Sequence, residues 1–318
     1  MQIIDFSTAH IEQAAQIALQ NYMDERLHVP SLPQVDAVPD LAEFAENKRG
    51  VAAIDGGKLL GFHCWSEPRN GFFGQCKGTW TPMHAHGAAK ENSADIYDRL
   101  YQIAAERLVA EEVFSHSVTL YEHDTEAVNM FFQNGFGGRF VDAIRDTSPI
   151  DAPICDGLSF RQARSDDTED IARMNNRLIA HLRGTPMFLP FFKEFTDADI
   201  ENGMKSGDYQ YFLAFDRNRP VAYIRLQPEG ENFACDDPEM MNISGAYALP
   251  EVQGKGVTAR LLSWLLDWLR ERGYSRCGVD FECFNYTARK FWLKYFTAYT
   301  TGVVRRIDER IHRMKNNE

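Results

Sequence analysis

Residues 248–262 read ALPEVQGKGVTARLL. The apolar run MNISGAYAL (241–249) leads in as a strand, and good helix formers follow Gly256. A strand, a turn holding Gly254 and Gly256, then a helix start make an anion site. First-turn N–H groups have no intrahelical acceptor, and the helix dipole favours negative charge. Glycine removes the Cβ that would hold a phosphate away. Lys255 adds a cation at the rim. The spacing is neither GxxxxGK[ST] nor GxGxxG, because position 259 is Ala and the turn follows a hairpin.

Working outward, the chain repeats itself. VAAIDGGKLLGF (51–62) and FLAFDRNRPVAY (212–223) each read as strand, Asp-led turn, strand, with Ala53 and Ala214 separated by 161 residues. The same offset lays DTEAVNMFFQNGF (124–136) on NYTARKFWLKYFT (285–297), and AAKENSADIYDRLY (88–101) on LPEVQGKGVTARLL (249–262). It also lays the helical pattern of 9–22 on 170–183. These matches predict two related domains, 1–147 and 158–318, joined by a linker at 148–157 rich in Pro and Asp. The element order predicts an α/β fold of mixed α+β layers, each domain a mixed, mostly antiparallel sheet flanked by helices. The repeated turn differs between halves. Asn92, Ser93, Ala94 and Asp95 fall on Gln253, Gly254, Lys255 and Gly256, which places a carboxylate where an anion would bind.

The 318 residues carry a formal net charge of −12, which argues against a general nucleic-acid binder. No apolar run is long enough to span a membrane, and the N-terminus lacks the pattern of a signal peptide. The six cysteines form no CxxC pair, as expected of a cytoplasmic protein with reduced thiols. His84 and His86, with His63 and Cys64, lack further ligands at zinc spacing, so no metal is expected.

The turn resembles the pyrophosphate-binding motif of the GCN5-related N-acetyltransferases, (Arg/Gln)-x-x-Gly-x-(Gly/Ala), with Gln253, Gly256 and Thr258 at its defined positions. The family's second signature, Asn-x-x-Ala-x-x-(apolar)-Tyr, is matched by Asn285, Ala288 and Phe291. Trp292 stands in the tyrosine's place, and Phe296-Thr297 stands where Gly-Phe is usual. The first half keeps that ending as Gly135-Phe136. The resemblance implies an N-acyltransferase using acetyl-CoA as co-substrate through the C-terminal domain, beside a degenerate N-terminal copy. It implies coenzyme contacts from Ala248, Leu249, Gln253, Gly254, Lys255, Gly256, Val257, Thr258, Asn285, Ala288 and Trp292. A backbone N–H near Tyr247 to Leu249 would meet the carbonyl oxygen. The alternative function is a non-catalytic CoA- or acyl-CoA-binding regulatory module.

Transfer to an amine needs a proton acceptor. Asp280 and Glu282 share one strand face and are the candidate bases, the other reading being a solvated face. Glu239 is a further candidate. Tyr295 is the candidate acid. Trp264 and Trp268 at helical spacing read as core. MFLPFF (187–192) reads either as an acceptor wall or as a core plug. A small-molecule amine is expected in preference to a protein acceptor, with no nucleic-acid or membrane partner, from a monomer or homodimer.

Overall fold

The structure is a computed structural model and describes residues 1–190 and 193–311. Two compact units emerge. One is Met1–Val141 with Ala298–Glu318, of which residues through 311 are described; the other is Asp142–Thr297.

The first unit holds β1 (Gln2–Asp5), α1 (Ile11–His28), α2 (Ala42–Glu46), β2 (Gly50–Asp55), β3 (Lys58–Cys64), β4 (Arg69–Asn70), β5 (Lys77–Thr81), β6 (His86–Ala88), α3 (Ser93–Ala110), β7 (Val113–Tyr121), α4 (Thr125–Gln133) and the first half of β8 (Gly137–Asp146). The second holds the rest of β8, then β9 (Leu158–Gln162), α5 (Thr168–Arg183), α6 (Asp197–Ser206), β10 (Gln210–Asp216), β11 (Arg219–Gln227), β12 (Met240–Ala248), α7 (Val257–Glu271), β13 (Arg276–Glu282) and α8 (Tyr286–Trp292). β14 (Thr297–Ala298) and β15 (Thr300–Arg306) follow. β15 pairs antiparallel with β7, from Thr300 opposite Tyr121 to Arg306 opposite Ser115. That ladder is why the chain from Ala298 packs with the first unit, although sequence grouped it with residues 158–297.

The sequence offset recurs in the hydrogen-bond register. Ala53 faces Gly61 and Asp55 faces Lys58 in one hairpin, with a bulge between Ala53 and Ile54. Ala214 faces Ala222 and Asp216 faces Arg219 in the other, with a bulge between Ala214 and Phe215. Each position differs by 161 residues. Asp124 caps α4 by accepting from Ala127 N at 3.1 Å, and Asn285 caps α8 by accepting from Ala288 N at 3.3 Å, again at that offset. Nearer the start the offset changes. Ile3 pairs Ala53 and Phe160 pairs Ala214, a spacing of 157. Buried Ala14, Ala18 and Tyr22 of α1 then match buried Ile171, Asn175 and Ile179 of α5. The sequence match of 9–22 on 170–183 is therefore corrected by four residues.

Helix α7 forms because Leu261, Leu262, Leu265, Leu266 and Leu269 make one apolar face, fully buried. Burying each contributes about 1.5–3 kcal/mol. Trp264 and Trp268 flank that face at 6.1 and 4.7 Å from the Phe212 ring; they pack on the sheet but stay half-buried and do not enter the core. Gly273, with φ +85°, ends the helix as Tyr274 N donates to Leu269 O at 3.1 Å.

His63 and His86 lie in the first unit's core. His63 Nε2 meets the Thr81 hydroxyl at 3.2 Å, and His86 Nε2 meets Thr119 O at 2.8 Å. Burial holds His63 down to about 3 and His84 down to about 4. Of MFLPFF, Met187 and Leu189 are buried and Phe188 is exposed; Phe191 and Phe192 lie outside the described residues. Among the described residues no helix is long and apolar enough to cross a membrane, and no group of three or more His, Cys, Asp or Glu could hold a metal.

Candidate active site

The second unit opens a gap between two parallel strands. β12 and β13 pair only from Met240 opposite Arg276 to Ile243 opposite Val279. Beyond Ile243 they part, and the cause is a bulge. Leu226 faces Ile243 and Arg225 faces Gly245, leaving Ser244 without an opposite residue. Arg225 secures it. Its Nε donates to the Ser244 hydroxyl at 2.9 Å and its other guanidinium nitrogen to Ser244 O at 2.7 Å. The guanidinium is braced over the Tyr209 ring at 4.6 Å.

Strand alternation then orients the backbone. Leu249 N donates to Val221 O at 2.8 Å, so Leu249, Tyr247 and Gly245 face β11, while Ala248 and Ala246 face the gap. Of the Tyr247–Leu249 span, Ala248 is the residue with an N–H on that side. Gln253 Nε2 donates to Ala248 O at 2.8 Å and ties the following turn to the strand end.

That turn is built by two left-handed glycines, Gly254 at φ +74° and Gly256 at φ +83°. Gly256 is the N-cap of α7, no side chain caps the helix, and no acid stands in its first turn. Lys255 N is used by Val252 O at 3.3 Å. Among the described residues, the N–H groups of Gly254, Gly256, Val257 and Thr258 have no protein acceptor. A Cβ on Gly254 would meet open space, whereas one on Gly256 would meet Pro153 Cγ at 2.8 Å. The 148–157 connector therefore runs beside the turn, and Cys155 Sγ approaches Lys255 O at 3.5 Å. An open set of N–H donors with Lys255 exposed at the rim fits a pyrophosphate.

The first unit differs more than the residue match suggests. α3 begins at Ser93 with Asn92 as N-cap at φ +59°, yet α3 and α7 end at matching positions, Ala110 and Glu271. α3 thus has an extra turn where α7 has its glycine loop. Asp95, matched to Gly256, is an exposed acid inside the first turn of α3 and not an N-cap.

The carboxylates of β13 lie at the gap. Val279 and Phe281 are buried while Asp280 points outward. Neighbouring protein desolvates the Asp280 carboxyl although the residue keeps solvent-exposed surface. That desolvation, with the charges of Glu231, Asp142 and Glu282, pushes it up to about 8, and Arg225 opposes the shift. Glu282, two residues on, is half-buried. Asp142, Glu231 and Arg225 escaped the sequence reading because they come from three other segments.

Asn285 spends its side-chain carbonyl on the α8 cap and on the Thr287 hydroxyl at 2.9 Å, which gives the Asn-x-x-Ala spacing a structural cause. Trp292 is buried, with its ring edge-on to Phe296 at 5.6 Å. Tyr295 packs on Phe291 at 5.3 Å, and its carbonyl accepts from Arg145 at 3.2 Å; these contacts do not bring it to Asp280 or Glu282. Glu239 is set apart. It precedes β12 at the end opposite the gap, about 25–30 Å along the strand from Ala248, where Ser275 donates to it at 2.7 Å.

Comparison with known proteins follows this geometry. Residues 171–296 match the Acetyltransferase (GNAT) family. A comparison with curated proteins gives no match. A solved GCN5-related N-acetyltransferase from Sphaerobacter thermophilus superposes with a TM-score of 0.56 at 13% identity, over 96% of this chain and 95% of that one. At that identity the likeness shows the fold alone. A tandem GNAT protein from the clavulanic acid biosynthesis pathway has a TM-score of 0.45 at 12% identity, covering 96% of this chain and 98% of that one. Splayed parallel strands and an uncapped glycine turn lie within residues 171–296, the stretch that matches the Acetyltransferase (GNAT) family.

Proposed function

We propose that the second unit transfers an acetyl group from acetyl-CoA to the amine of a small molecule. The observation that carries this reading is the set of unpartnered N–H groups of Gly254, Gly256, Val257 and Thr258, at the mouth of the β12–β13 gap. Bound acetyl-CoA supplies an acyl thioester. The turn holds its pyrophosphate through those N–H groups, with Lys255 alongside. Ala248 N–H donates to the carbonyl oxygen as negative charge develops there. Asp280 takes the proton from the ammonium, so that the neutral amine attacks. A carboxylate raised to about 8 is a far stronger base than one at its usual 3.8. Glu282 sustains that shift by its charge. Trp292 has no ionisable proton, so the sulfur released as the C–S bond breaks takes its proton from water.

The first unit does not share this role on our reading, because its helix α3 fills the place of the anion turn. Calorimetry with acetyl-CoA should then show one site per chain, and two equal sites would refute that asymmetry. Thiol release with a panel of primary amines tests the transfer. Trp292 at the tyrosine position favours a second reading, a non-catalytic acyl-CoA-binding module. Tight binding of acetyl-CoA with no turnover across a broad amine panel would select it.

A further inference from the structure

Apart from that site, the first unit contains a cavity of about 40 Å³ whose lining includes Asp24, Glu25, His28, Lys90, Tyr121 and His123. A water needs roughly 10–15 Å³ by this measure, so the space takes a small head group. Glu25 forms its floor at 2% exposure. Its carboxylate accepts from His123 N at 3.1 Å and meets His123 Nδ1 at 2.7 Å. With Nδ1 held by a carboxylate, Nε2 is the ring's other functional nitrogen. His28 stacks on that ring at 4.6 Å and 6°. Tyr121 is also 2% exposed, and its hydroxyl has no partner. Lys90 places its ammonium on Asp24 at 2.7 Å at the lip.

We propose that the first unit carries a binding site for a small primary ammonium head group, held by Glu25, Tyr121 and His123. A buried hydroxyl without a partner costs stability unless a ligand completes it. Glu25 retains acceptor capacity beyond its two bonds to His123. Three carboxylates, Asp24, Glu25 and Asp124, line the space against the single ammonium of Lys90, a balance that favours a cation over an anion. Lys90 on Asp24 shows this lip already accepting an ammonium. The shared framework does not dictate these residues. At the structural offsets, Glu25 falls on Leu182, His123 on Phe284 and Tyr121 on Glu282. The pair that anchors this pocket, Glu25 and His123, is thus replaced by two apolar side chains in the other repeat. This site stands whether or not the second unit transfers acetyl groups.

The test uses the full chain without acetyl-CoA. Ethanolamine is titrated by calorimetry, with ethylene glycol and glycolate as neutral and anionic controls of similar size. In parallel, the imidazole resonances of ¹⁵N-histidine-labelled protein are followed. Saturable binding is expected for ethanolamine alone, with the His123 resonance shifting. Tyr121→Phe should weaken binding by about tenfold or more, while its melting temperature holds or rises because a buried orphan hydroxyl is gone. Asp280→Asn, in the other unit, should leave that binding unchanged. Absence of saturable binding, an unmoved His123 resonance, undiminished affinity in Tyr121→Phe, or loss of binding in Asp280→Asn would each overturn the proposal.

Discussion

Alanine at the two glycines of the α7 turn should have unequal costs, and the difference is set by one proline. Both glycines are left-handed, at φ +74° and +83°. An alanine held in that region costs about 1–2 kcal/mol. At Gly254 nothing else is added, because the new Cβ meets open space. At Gly256 it meets Pro153 Cγ at 2.8 Å and Cβ at 2.9 Å, and forced overpacking adds about 1–3 kcal/mol. Gly254→Ala should therefore cost about 1–2 kcal/mol and Gly256→Ala about 2–5 kcal/mol. Urea unfolding of each variant reads these values. Pro153→Ala combined with Gly256→Ala isolates the contact, and a coupling of about 1–3 kcal/mol is expected from the double-mutant cycle. Equal costs at the two glycines, or no coupling with Pro153, would refute the placement of the connector beside the turn. The same contact makes Gly256→Asp a poor mimic of Asp95, since its Cβ meets Pro153 before its charge meets any ligand.

Asp280 should impose a rising limb on the pH dependence of kcat/KM, half-maximal near 8; Asp280→Asn should lower the rate and remove the limb, and an unchanged profile would remove Asp280 as the base. Because folding raises this carboxyl from 3.8 to about 8, its contribution to stability is present below 3.8 and is lost as pH rises through about 8. Asp280→Asn should flatten stability across that window, as read by melting temperature against pH. Asn285→Ala removes the cap of α8 and should cost about 1 kcal/mol in urea unfolding; no cost would mean that the cap bond is not made. Val303→Asp places a carboxylate on fully buried β15 and should cost about 4 kcal/mol or more, with the largest loss of amide-exchange protection in β7.

What could be read in the sequence was whatever a local backbone requirement enforces. Gly254 and Gly256 announced a turn because positive φ and an uncapped helix start both demand them. The paired hairpins were legible because Asp55 and Asp216 lead the turns that set their register. The helix caps at Asp124 and Asn285 showed through for the same reason. The four-residue change of offset was hidden, since α1 and α5 are both amphipathic and slide past each other without breaking the pattern. The extra turn of α3 was hidden too, because Ser93, Ala94 and Asp95 occupy the same count as the glycine loop and Ser and Asp read as readily as a cap as a helical turn. Asp280 was picked out by strand alternation, but the neighbours that raise its pKa, Asp142 and Glu231, are brought to it only by the fold. The Glu25–His123 pair joins residues 98 apart, which no spacing rule connects.

The strand β15 has a consequence for the order in which the chain can finish folding. β7 pairs with β5 on one side and with β15 on the other. Until residues 300–306 have been synthesised, the second edge of β7 and the adjoining edge of β8 remain unpaired. At roughly 5–20 residues per second, the stretch from residue 142 to residue 306 takes about 8–33 s to make. The second unit, begun later, is complete at residue 297 and can close before the first. During that interval Val118 and Leu120, buried in the finished unit, belong to a strand with an open edge, the kind of surface that recruits chaperones or another nascent copy.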